Sequence, residues 1–220
     1  QGAAGAGEFV PSEHFGVVTY EGDGSSSHSI NGGKFGAGAY FDGSNSTIST
    51  PITTNYSNLS ISCWVYFNAL PTGGADATLV SKGFYSSGSN TEYVHLRYEN
   101  SQNQFTFALR KNSSYNQQAL SGVVASINTW YHVVGTLDSS GNAQIYVNGT
   151  AGTGITSVPT MTNTNDFEIG SFGTTVAILN GKIDQVRIFT KELSSSEVST
   201  LYAETAAESL DPLSEDTTDT

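Results

Sequence analysis

Tyr93, His95 and Arg97 stand at alternate positions of "EYVHLRY", and Arg110 follows in "QFTFALRK". Alternate residues of an extended chain share one face, so two adjacent strands would bring these four side chains together. An aromatic ring, an imidazole and two planar guanidinium forks on a rigid face suit stacking on a sugar ring and bidentate hydrogen bonds to its hydroxyls. Tyr115 and Asn116, in the loop that follows, would add a wall. The same residues also suit an ordinary solvated sheet face with long cross-strand pairs, and the pattern alone does not separate the two.

Proton-transfer and nucleophilic chemistry find less support. No local Ser–His–Asp or Cys–His signature is present. The four histidines lack a zinc spacing, and His132 in "WYHVV" reads as a residue packed or bonded within a sheet. Cys63, the single cysteine, falls on the apolar face of its segment, which makes it inert core and excludes an internal disulfide.

The elements that must carry these residues are strands. "LSISCWVYF" alternates cleanly, with Leu59, Ile61, Cys63, Val65 and Phe67 on one face and Trp64 and Tyr66 on the other. In "QFTFALRK", Phe105, Phe107 and Leu109 point inward and Thr106, Ala108 and Arg110 outward. "TWYHVVGTL", the turn "DSSGN" and "AQIYVNG" form a hairpin, and "DFEIGSF" and "GKIDQVRIF" are the last strands. About a dozen strands without a linker predict one all-β domain of two antiparallel sheets packed face to face. One helix is expected near residues 195–203. Ser194 and Glu197 form a capping box there, and Val198, Leu201 and Tyr202 make an apolar stripe that must dock, to cover an open end of the core.

The order and spacing of "GKFGAGAYFDGSNSTIST", "LSISCWVYF", "TLVSKG", "NTWYHVVGTLDSSGNAQIYVNG", "FEIGSFG" and "LNGKIDQVRIFTKELSSSEVSTLY" resemble the laminin-G-like, concanavalin A-like jelly-roll family. The resemblance implies a jelly-roll sandwich whose closing strand and short C-terminal helix belong to the fold. It also implies a calcium ion at the rim, for which Asp42 and Asp184 match positions where the family carries a carboxylate. The local alternative is that each aspartate bonds backbone in a turn or at a strand start. Glucanases of this superfamily would need an E-x-D-x-x-E-like run. Glu21 with Asp23 and Asp166 with Glu168 lack the third carboxylate, so no catalytic residue is expected. "FGVVTYEGDGSSSHSINGG" and "LSSSEVSTLYAE" are similar to segments of marine bacteriophage virion proteins.

Composition limits the partners. The 220 residues carry 20 acidic and 8 basic side chains, a net charge of −12, which disfavours nucleic acid and anionic lipid. No apolar run is long enough for a membrane span. Residues 1–14 read as a small, Gly-rich arm, 15–203 as the jelly-roll domain and 204–220 as an acidic tail. Both arms are expected to contact other protein subunits, in an oligomer or larger assembly. The sequence is therefore read as a non-catalytic module that binds glycan or cell-surface polysaccharide, or serves adhesion, at a virion or extracellular surface. The alternative is a structural or decoration subunit of a virion or filament without a ligand, and a glycoside hydrolase ranks third.

Overall fold

The computed structural model describes residues 8–9, 19–21, 27–29, 32–36, 38–44, 46–50, 52, 57–84, 92–112, 114–173 and 177–205. In chain order the strands are β1 (Glu8–Phe9), β2 (Thr19–Glu21), β3 (Ser27–Ser29), β4 (Gly38–Asp42), β5 (Thr47–Thr50), β6 (Leu59–Phe67), β7 (Ala77–Phe84), β8 (Glu92–Glu99), β9 (Gln104–Lys111), β10 (Tyr115–Leu120), β11 (Trp130–Leu137), β12 (Ala143–Val147), β13 (Thr150–Ala151), β14 (Phe167–Ile169) and β15 (Asn180–Phe189), followed by helix α1 (Ser195–Tyr202). One sheet runs β13-β12-β11-β6-β15-β4-β3, and the other β10-β9-β8-β7-β14-β5-β2. Every strand pair is antiparallel. This is the two-sheet antiparallel sandwich that the alternation predicts, with the one short C-terminal helix that the capping box predicts and the jelly-roll arrangement that the resemblance implies. The segment "YNQQAL", read from sequence as a loop, is β10.

The core follows from period-2 patterning. Leu59, Ile61, Cys63, Val65 and Phe67 of β6 face Val94 and Leu96 of β8 and Phe105, Phe107 and Leu109 of β9, all buried. Burying each large side chain of this kind is worth roughly 1.5–3 kcal/mol. The sheets approach closely at Gly135, where a Cβ would lie 2.6 Å from the Phe107 ring. Burial pushes the Cys63 thiol up to about 12, so it stays an unreactive core residue.

The other face of β6 is buried as well. Ser60 Oγ donates to the Lys191 carbonyl at 2.8 Å and accepts the Leu193 N–H at 2.9 Å, pinning the chain that leads into α1. The capping box is present: Glu197 N–H donates to Ser194 Oγ at 3.3 Å, and Ser194 N–H to Glu197 Oε2 at 2.8 Å. Val198 packs with Val134, Phe189 and Leu193 in a small second core. The helix therefore covers the outer face of the first sheet and not an open end of the main core. Val134 points outward from β11 and offers the apolar spot on which it docks. Trp64 is explained by the same docking. It is 4% exposed, stacked with Tyr202 at 5.8 Å, tilted on His132 at 5.1 Å and edge-on to Phe35 at 5.7 Å. Arg187 Nη1 bonds Glu204 at 2.7 Å just beyond the helix.

Of the N-terminal arm, Glu8–Phe9 runs along the chain's own β15, opposite Phe189 and Ile188. The rest of residues 1–14 and residues 206–220 lie outside the described residues, so the expected subunit contacts of both arms fall there.

His132 generates a pH prediction. Its Nε2 lies 2.9 Å from Ser62 Oγ, and burial, with Arg187 nearby, lowers its pKa from 6.5 to about 3. The unfolded chain protonates this residue near 6.5 and the folded chain does not. Between these values the unfolded state binds more protons, so the His132 contribution to stability is full above pH 6.5 and is lost as pH falls toward 3. Urea denaturation of the wild type and of His132→Gln between pH 7.5 and 4 should give a flatter profile for the variant. Parallel profiles would remove His132 as a source of acid sensitivity.

Candidate functional site

Strand register brings the expected residues onto one face. Tyr93 pairs with Arg110, which pairs with Asn116; His95 pairs with Ala108, which pairs with Gln118; Arg97 pairs with Thr106. Tyr93, His95, Arg97 and Arg110 thus cluster on the outer face of the second sheet, as the alternation predicts. Tyr115 does not join them. It alternates with Ala119 toward the main core, and its hydroxyl donates to the Thr156 carbonyl at 3.3 Å.

The face is not open as expected. Tyr93 is 7% and His95 1% exposed. Phe172 lies flat on the His95 ring at 4.4 Å and 13° and meets Tyr93 edge-on at 5.2 Å. His95 Nε2 is 2.9 Å from Thr78 Oγ1. Burial, and secondarily Arg97, holds His95 well below its ordinary pKa, so it is a neutral structural imidazole. The signal that could have revealed the cover is "IGSFG". Gly170 has φ +82°, and a Cβ there would lie 2.1 Å from Phe41. A side chain is excluded at that turn, and the chain is free to fold Phe172 back over the sheet.

Arg97 is likewise engaged. Its Nε donates to Thr106 Oγ1 at 3.2 Å, Nη1 to Asp76 at 2.9 Å, and Nη2 to Glu99 and Gln118 at 3.0 Å each. The guanidinium holds β8, β9, β10 and residue 76 in register; its fork is not available to a ligand. Asp76 also accepts the Asn100 N–H at 3.1 Å. Burial raises its pKa, against the opposing pull of Arg97. Arg110 donates to the Asn112 carbonyl at 3.2 Å.

Between these groups lies a cleft of about 300 Å³ lined by Tyr93, Arg97, Glu99, Asn116, Gln117 and Gln118. Asn116 and Gln117 are exposed. Gln118 is oriented by Arg97, and Asn116 Oδ1 lies 3.5 Å from the Tyr93 hydroxyl. The floor is therefore fixed, and the wall presents amides that donate and accept hydrogen bonds. Sequence reading found Asn116 but missed Gln118, because β10 was not recognised as a strand, and Glu99, the next position after Arg97 on the same face of β8.

The two aspartates expected at a calcium rim are turned to their own chain. Asp42 Oδ1 accepts the Ser44 N–H at 2.8 Å and the Ser46 hydroxyl at 2.9 Å. Asp184 is buried, taking the Phe35 N–H at 2.9 Å and the Gln185 N–H at 2.7 Å. Asp42 pairs with Asn180, four residues along β15 from Asp184, so roughly 13 Å separates them. Calcium takes six to eight oxygens, and no group of three His, Cys, Asp or Glu residues that could hold a metal ion occurs among the described residues. The described donors do not fit a calcium site. The carboxylates of Glu21 and Asp23 lie outside the described residues. Glu168 accepts from Ser171 at 3.4 Å.

The chain belongs to the Concanavalin A-like lectin/glucanases superfamily: a family model with that description matches residues 41–199. Domain 4 of an extracellular arabinanase from Geobacillus stearothermophilus, solved in complex with arabinotriose, is 22% identical with a TM-score of 0.73, covering 87% of this chain and 90% of that one. The binding domain of Paraclostridial Mosquitocidal Protein 1 is 15% identical with a TM-score of 0.65, covering 84% of this chain and 47% of that one. The receptor binding domain of botulinum neurotoxin type G is 18% identical with a TM-score of 0.61, covering 84% of this chain and 46% of that one. The chain thus spans nearly all of the arabinanase domain but only about half of each toxin domain. At these identities the likeness is one of fold. No curated protein sequence matches the chain.

The Phe172 cover is testable. Phe172→Ala should cost about 3 kcal/mol of stability and let water reach His95, so that its pKa, followed by NMR, rises toward 6.5. A His95 titration unchanged from wild type would mean that Phe172 is not what keeps the imidazole neutral.

Proposed function

We infer that this superfamily member is a non-catalytic glycan-binding module working at an extracellular or virion surface, with the cleft between β8 and β10 as its binding site. The observation that carries the reading is the Arg97 network. It engages the guanidinium with Asp76 and Glu99, orients Gln118, and leaves the amides of Asn116 and Gln118 along an open wall. A rigid floor with planar donor–acceptor groups suits neutral sugar hydroxyls, and about 300 Å³ is at the small end of ligand-site volumes, enough for a terminal or short saccharide. The arabinotriose held by a domain of the same fold supports a saccharide as the ligand class.

Hydrolysis is disfavoured by the state of the acids near this cleft. Asp76 and Glu99 are both committed to Arg97. A glycosidase pair needs one carboxyl free to protonate the leaving oxygen and another free to attack or to activate water.

Asn116→Ala and Gln118→Ala remove wall amides without opening the core. On an immobilised glycan array each should lower binding at least tenfold, with urea midpoints close to wild type. Array binding that survives both substitutions would sink this placement of the site.

A further inference from the structure

The outer face of the first sheet carries a feature that the cleft does not use. Trp130 of β11 pairs with Tyr66 of β6, Tyr66 with Lys182 of β15, and Lys182 with Tyr40 of β4. Four adjacent strands thus contribute one residue each to a single transverse row, and all four side chains are half-buried. With strands roughly 4.8 Å apart, the row extends over about 14 Å. Its parts are held in place. The Trp130 and Tyr66 rings lie 5.4 Å apart at 52°, the Tyr66 hydroxyl donates to Asn128 at 2.9 Å, and Lys182 Nζ sits 5.1 Å from the Tyr66 ring centre.

Charge distinguishes this row from an ordinary aromatic patch. Arg97, Lys111, Arg187 and Lys191 each pair with a carboxylate. Lys82 is buried on the carbonyls of Ile52 and Asn165. Lys182 and Lys34, by contrast, meet aromatic faces and no carboxylate among the described residues; Lys34 Nζ lies 4.6 Å from the ring of Trp64, two positions from Tyr66 on the same face of β6. The acids of this face are engaged as well: Asp42 bonds Ser44 and Ser46, and Asp184 accepts backbone N–H groups of Lys34, Phe35 and Gln185, so Asp184 meets the Lys34 backbone and not its ammonium. In a chain of net charge −12, two cations on one face that meet no carboxylate among the described residues, with Lys182 set in a row of half-buried rings, complement a ligand that is both anionic and ring-shaped.

We propose that the Trp130–Tyr66–Lys182–Tyr40 row is a second binding site, which takes an acidic polysaccharide across the strands. Sugar rings stack on Trp130 and Tyr40, and a carboxylate or sulfate meets Lys182, with Lys34 adding positive potential alongside. The inference borrows from the proposed function only the ligand class; the site lies on the opposite sheet, and its test is separate.

The test is affinity electrophoresis of the full chain in gels containing alginate, a sulfated galactan or neutral dextran, with Trp130→Ala, Lys182→Gln and the cleft variant Gln118→Ala run beside wild type. Alginate, the sulfated galactan or both should retard wild type more strongly than dextran, and rising salt should weaken the retardation by the acidic polymers. Lys182→Gln keeps most of the side-chain length and should raise the apparent Kd at least tenfold; Trp130→Ala should do the same, and Gln118→Ala should bind as wild type. Retardation of Lys182→Gln equal to that of wild type overturns the proposal, as does equal retardation by dextran. Loss on Gln118→Ala instead would move acidic-glycan binding to the cleft, sinking this inference and leaving the glycan reading intact. A wild type that ignores both acidic polymers also overturns it, without bearing on the glycan array used for the cleft.

Discussion

A β-strand has two faces, and β6 buries both along most of its length. Its even-numbered and odd-numbered residues meet different partners: Leu59, Ile61, Cys63, Val65 and Phe67 form the floor of the main core, while Ser60, Ser62 and Trp64 lie under the C-terminal segment. The strand also pairs with β11 on one side and β15 on the other. The sandwich, the docked helix and the outer platform are therefore all referenced to one strand. Only at Tyr66, beyond the reach of α1, does the outer face become half-exposed. A short helix that is marginal alone thereby sets where the covered part of the sheet ends and the accessible part begins.

The second sheet solves the same problem with fewer residues. Phe172, Tyr93, Ala108 and Ala177 make a small apolar cluster on its outside, and Arg97 supplies the polar half of the cover. A guanidinium partly removed from water needs its donors satisfied, and here Thr106, Asp76, Glu99 and Gln118 do so. The consequence is a division of labour between neighbouring residues of one strand. Tyr93, His95 and Arg97 support the surface; the side chains of β10, one strand further out, present it.

Much of this was legible in the sequence where the governing interaction is local or periodic. The alternation in "LSISCWVYF" gave the inward face of β6 residue by residue, and Ser194 with Glu197 gave the cap of α1. The face shared by Tyr93, His95, Arg97 and Arg110 was also right. What periodicity could not tell is what lies over a face. Phe172 is 77 positions from His95 in the chain, and its approach depends on the backbone turn at Gly170. The same limit misplaced the helix, since its docking spot, Val134, is an outward residue of a strand otherwise read for its inward side. Tyr115 was misplaced for a different reason. "YNQQAL" is mostly polar because β10 lies at the sheet edge, where the outer positions need not be apolar, so its two-residue period is carried by Tyr115 and Ala119 alone.

Charge scarcity connects the fold to its surfaces. Against 20 acidic residues there are 8 Lys and Arg, and a cation in such a background should be drawn to the nearest carboxylate. Arg97, Lys111, Arg187 and Lys191 follow that rule, and each joins segments distant from one another or caps α1. Lys82 departs from it by burial, lying 5.0 Å from the Phe167 ring centre; burial lowers its pKa to about 8, so the carbonyls around it hold a cation that is already easier to discharge. Lys34 and Lys182, both half-buried, depart from it differently. They rest on rings while Asp42 and Asp184, on the same face, are occupied by backbone donors and Ser46. Each aspartate turned into a strand end or tight turn orders the backbone there, and neither lysine forms an ion pair with a carboxylate among the described residues.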